Sequence, residues 1–167
     1  MCIFSGDIQE VSKTKIFARV DGHGVQFLAY AMDLDTPADV AMILPIPIQK
    51  GEKVNFIDLS EFTNLFVEIE DLFPKIKSRG LMMFKGFDED LIGADSIIEV
   101  EKVGAFDASF VPSIADMNRL DRRFTIDKEI WDKVPQYEQF GFVVFKLSAG
   151  EAERHPMAFS FKTANPK

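Results

Sequence analysis

The chain has 167 residues, of which 47% are hydrophobic and 28% charged, enough to bury one core and far from the composition of a disordered polypeptide. Its net charge of −8 argues against a nucleic-acid surface, which must neutralise phosphate, and against docking on anionic membranes. One cysteine excludes an internal disulfide and asks for no oxidising compartment.

The N-terminus lacks a basic leader, and the longest apolar stretch, 40–48, is broken by Pro45 and Pro47, so neither a secretory signal nor a membrane span is expected. The expected setting is cytoplasmic, with residues 1–167 as a single domain. Phenylalanine is over-represented, at 17 against 2 Tyr and 1 Trp. Aromatics with a polar edge favour ligand sites and interfaces, so a surplus of Phe points to a core filled with large side chains.

In chain order, residues 13–20 read as a strand, and Asp21-Gly22-His23-Gly24 as a tight turn whose glycines accept positive φ. The return strand, 25–32, is apolar at successive positions and is expected in the middle of a sheet covered on both faces. Residues 40–44 form a further apolar strand; Pro45 and Pro47 should end it or place it at a sheet edge. Residues 54–59 read as a short strand or a connector. Ser60 is the expected N-cap of a helix over 60–73, with Phe62, Leu65, Phe66, Ile69 and Phe73 on one stripe and Pro74 as its stop. The basic stretch 75–80 is the expected flexible joint.

Residues 97–103 and 105–111 read as a strand pair around Gly104. Ser113 and Asp116 fit a capping box for a short helix through Leu120. Asp127 is expected to cap a turn or two carrying Ile130 and Trp131, and residues 140–147 and 157–161 read as strands. Strands separated by turns, with few helices, predict an α+β domain. Its sheets should be mostly antiparallel, with two or three short helices on one face or end.

Cys2 is the main candidate for chemistry. Removal of Met1 would expose a cysteine whose own α-amine can serve as base for its thiol, the arrangement of an N-terminal nucleophile. Arg19, Asp21, Asp33 and Asn118 are the partners available for such a site. The competing reading is a strand cysteine packed into the core with Ile3 and Phe4. His23 falls in a turn where exposure is expected, and His155 precedes Pro156 at a strand start; both read as structural rather than as part of a Cys–His dyad. Two distant histidines and one cysteine give no zinc spacing, and the acidic loop 88–90 lacks the ligand pattern of a calcium loop. No cofactor or metal is expected. Leu44-Pro45-Ile46-Pro47-Ile48 is either a surface ridge for a partner or a core strand leaving its sheet.

Several segments resemble an uncharacterised bacterial protein family: 1–5 (MCIFS), 14–19 (TKIFAR), 41–47 (AMILPIP), 56–59 (FIDL), 108–112 (ASFVP), 140–147 (FGFVVFKL) and 155–159 (HPMAF). The resemblance implies a bacterial, single-domain protein and brings no activity with it. The Met-Cys start also resembles N-terminal-nucleophile hydrolases. The leading expectation is a non-enzymatic binding or interaction protein, taking a protein or a small molecule, with a homodimer among the expected states. The alternative is an amide hydrolase acting through Cys2.

Overall fold

The structure, a computed structural model, describes residues 2–73, 98–150 and 155–166. The expected joint at 75–80 and the acidic loop 88–90 lie outside the described residues. Nine strands among the described residues form two antiparallel sheets. They are β1 (Ile3–Phe4), β2 (Glu10–Val20), β3 (Val25–Asp35), β4 (Val40–Ile46), β5 (Val54–Ile57), β6 (Val100–Val103), β7 (Phe106–Val111), β8 (Gly141–Leu147) and β9 (Met157–Lys162). One sheet runs β1-β4-β8-β7-β6 and the other β2-β3-β9-β5.

Alternation along the strands explains how the sheets stack. Tyr30, Met32 and Leu34 of β3, Met42, Leu44 and Ile46 of β4, Val143, Phe145 and Leu147 of β8, and Met157, Phe159 and Phe161 of β9 all enter one buried cluster. That cluster draws on both sheets, so they pack face to face. The opposite sets of side chains are apolar too. Ala29 and Ala158 meet Phe66 on one outer face, while Ile43, Phe142 and Val144 meet Met117 and Trp131 on the other. The near-continuous hydrophobicity of β3, β4 and β8 is what a strand covered on both faces requires.

Helical segments therefore cover both outer faces, which corrects the expectation that they gather on one face or end. Helix α1 (Leu65–Leu72) lies over the β2-β3-β9-β5 sheet. Helix α2 (Lys128–Asp132) and the 3-10 turns 114–119, 122–124 and 135–137 belong to the other side. Trp131 is buried, edge-on to Phe142 of β8 with ring centroids 5.0 Å apart.

Helix α1 is shorter than the 60–73 reading. Asp58 accepts the Ser60 N–H at 2.8 Å, and Phe62 N–H bonds back to Leu59, so the chain spends residues 58–64 in turns and Ser60 caps nothing. This is the local competition that Asp and Ser side chains offer to a helix start. Of the expected stripe, Phe66 is buried and Leu65 and Ile69 are half-buried, whereas Phe62 and Phe73 are exposed. The Ser113 hydroxyl likewise bonds the Asp116 carboxylate at 2.6 Å instead of a backbone N–H.

Pro45 stands where one flank of its strand is unpaired among the described residues, and β4 ends at Ile46, as the two prolines predict. It sits in β4, between β1 and β8, directly opposite Phe142. The short β1 pairs only with Met42 and Ile43, so among the described residues no strand lies beside Pro45 on that flank, which is where a proline is tolerated. Leu44, Ile46 and Ile48 are buried; the surface-ridge reading of 44–48 gives way to the core strand.

Asp121 introduces the 3-10 turn 122–124 and accepts from both the side chain and the backbone N–H of Arg123. Those bonds hold its carboxyl down from 3.8 to about 2. A carboxyl depressed on folding contributes stability that is complete above its unfolded value and is lost as pH falls through the folded one. Asp121→Asn should thus flatten the acid limb of the unfolding midpoint between about pH 4 and pH 2, as read by thermal melts. An acid limb identical to wild type would mean that this exposed pair is screened to nothing.

Candidate functional site

Cys2 heads β1, and the pairing of Ile3 with Ile43 fixes it at the edge of its sheet. The side chain is half-buried and packs against the cluster between the sheets. Its Sγ lies 3.4 Å from the phenol oxygen of Tyr30 on the facing sheet. Burial, and then the adjoining Cys2, push the Tyr30 phenol above its ordinary range, so the phenol keeps its proton and remains able to donate to sulfur. Tyr30 is the contact that sequence reasoning missed: it is 28 residues away, and nothing local connects the two.

The anticipated partners of Cys2 are not gathered around it. Asp21 accepts the N–H groups of His23 and Val25, each at 2.8 Å, and these bonds lower its pKa, Val25 most. Asp33 pairs with Lys13 at 2.8 Å. Asn118 lies in the 3-10 turn of the outer layer. Arg19 stands exposed on β2. His23 is exposed in the β2–β3 turn, as expected, and Gly24 takes the positive φ of 81° that the turn requires.

His155 is structural in a specific way. Its Nε2 accepts the Ala105 N–H at 2.9 Å, its Nδ1 faces the Pro156 carbonyl at 3.0 Å, and its ring sits edge-on to Phe106 at 4.6 Å. Acceptance at Nε2 places the ring proton on Nδ1. Asp58 adjoins the same turn; hydrogen bonds from Ser60, and less so from the Gly104 N–H, lower its pKa. Asp58 follows β5 and His155 precedes β9, so together they pin the β6–β7 turn of one sheet to the strands of the other. That turn is on the far side of its sheet from β1, three to four strand spacings or roughly 14–19 Å away. A Cys2–His155 dyad is therefore not formed. Among the described residues, no group of three His, Cys, Asp or Glu is placed to hold a metal ion. No helix among them is long and apolar enough to cross a membrane.

A different surface stands out on the opposite side of the β2-β3-β9-β5 sheet. The chain crosses it from Leu59, beside Ala158, through α1 to Glu70, whose carboxylate meets Lys15 of β2 at 2.7 Å. Between helix and strand lies an open groove of about 450 Å³, lined by residues 15–18 of β2 and by Phe66, Ile69, Glu70 and Phe73. Phe62, Val67, Leu72 and Phe73, on α1 and its flanks, are 54% to 62% exposed. Of these, Phe62 and Phe73 were expected on the core stripe, and α1, limited to Leu65–Leu72, stops short of both.

No family model, curated protein or solved structure matches the chain.

Proposed function

We propose that the protein is a binding module whose recognition surface is the β2–α1 groove and its apolar rim. The observation that carries this reading is the concentration of large exposed hydrophobic side chains there. Four of them sit within twelve residues of chain, beside a groove floored by Phe17 and Phe66. Apolar surface of that kind on a folded domain marks a place where something docks. Because Val67 and Leu72 are already exposed, the double variant Val67→Glu, Leu72→Glu should leave the unfolding midpoint within experimental error. The same variant should reduce capture of partners by the immobilised protein by about tenfold or more. Undiminished capture by a folded variant would overturn the reading.

A second reading rests on the contact between Cys2 and Tyr30: an amide hydrolase in which Cys2 attacks once Met1 is gone. Its support is a neutral phenol placed to donate to the sulfur. The half-buried, apolar setting of Cys2 weighs against it, since reactive thiols sit in electropositive, accessible surroundings. Native protein treated briefly with an alkylator should show Cys2 modified roughly tenfold more slowly than the unfolded chain. Fast modification on a chain that has lost Met1, read by intact mass, would favour the hydrolase instead.

A further inference from the structure

Resting on the binding-module reading, we propose that the outer edge of β2 between Lys15 and Val20 takes up an extended segment of another protein as an added strand. That segment is apolar at three successive positions and acidic on either side of them. β2 is the terminal strand of its sheet, and among the described residues nothing pairs with its outer edge. A bulge at Lys13, with φ of 47°, separates residues 10–12 from a regular run in which 15–20 pair with 26–31. Six residues of unpaired edge offer alternating backbone donors and acceptors, the requirement for strand addition.

The side chains of this run define what the added strand must carry. Phe17 lies opposite Ala29 and faces α1, and alternation puts Lys15 and Arg19 on that same face. The groove runs along residues 15–18, so a guest side chain beside Phe17 enters it toward Phe66 and Phe73. On the other face, Ile16 and Val20 are exposed and call for apolar neighbours. Lys15 and Arg19 flank Phe17 at two residues on each side. Lys15 already shares Glu70, and Arg19 has no carboxylate within bridging distance among the described residues. Their cross-strand neighbours are therefore acidic. A second copy of the chain fits poorly: pairing β2 with itself about Phe17 sets Lys15 opposite Arg19 twice, and like charges directly opposed destabilise a strand pair.

The test uses three labelled peptides followed by fluorescence polarisation: one with a Val-Ile-Val centre flanked by Asp, the same with Lys flanks, and the first with Pro replacing both Val, the residues opposite Ile16 and Ala18, whose backbone groups point outward. Wild-type protein should bind the acidic peptide saturably, the Lys-flanked peptide roughly tenfold more weakly, and the Pro peptide not at all, because Pro removes a ladder donor. Arg19→Glu, an exposed change that leaves the fold intact, should erase or invert the preference between acidic and basic flanks. Equal binding of all three peptides, or no saturable binding of the acidic one, overturns strand addition. So does a crosslink showing the edge of β2 held by residues 74–97 of the same chain. If the peptides fail while Val67→Glu, Leu72→Glu still abolishes partner capture, the binding module stands and only the mode of docking is wrong.

Discussion

Phe145→Ala should lower the unfolding free energy by about 3–5 kcal/mol in urea titrations. Phe145 is fully buried on β8, opposite Met42 of β4 and Ala108 of β7. Its ring lies 5.8 Å from Phe56, 5.9 Å from Phe106 and 6.1 Å from Phe159. Phe56 and Phe159 belong to the facing sheet, so one side chain ties both sheets together. Truncation removes its transfer free energy and leaves a void walled by rings whose strands are held by their own ladders. Such a site collapses poorly, and the cost should fall toward the upper end of the range. Phe62→Ala, at an exposed ring, should by contrast change stability by no more than about 0.5 kcal/mol. A loss below about 2 kcal/mol for Phe145→Ala would mean that the inner layer relaxes around the gap.

The second large effect is expected at Gly104, where the backbone has φ of 59°. An added Cβ would also fall 2.8 Å from the Asp58 carboxylate and still closer to the His155 imidazole. Gly104→Ala therefore combines left-handed strain with displacement of the imidazole that accepts the Ala105 N–H. Strain of about 1–3 kcal/mol and a forfeited hydrogen bond of about 1 kcal/mol give an expected loss of roughly 2–4 kcal/mol. Gly22→Ala is the matched control, since nothing lies within 4 Å of a Cβ there, and it should be near neutral. Equal behaviour of the two variants in thermal melts would show that the His155–Asp58 pin does not hold the β6–β7 turn.

Much of the architecture was written in local pattern, because a strand covered on both faces has no choice but to be apolar throughout. That rule located β3 and β8, and the glycines around His23 located the turn between β2 and β3. The start of α1 was not legible, since the capture of the Ser60 N–H by Asp58 competes with a helical start that looked equally good in sequence. Nor was the interior place of β4 in its sheet, because its other neighbour is the two-residue β1, which stops short of Pro45. The groove escaped because Phe62 and Phe73 have the right spacing for a core stripe, yet both lie just outside the short helix Leu65–Leu72 and are exposed. Cys2 and Tyr30, like Gly104 and His155, meet only through pairing across the sheets, which leaves no trace in any short window.

The position of β9 bears on how this chain reaches its folded state. It lies between β3 and β5, with Leu28 and Phe56 both set against Phe159. The interior of that sheet is thus completed by a strand synthesised long after its neighbours. Until residues 157–162 leave the ribosome, β3 and β5 each present an open, apolar edge. Closure of such distant pairs is slow, and partly built sheets invite aggregation. A nascent chain halted before Met157 should therefore require chaperone protection that the completed chain does not.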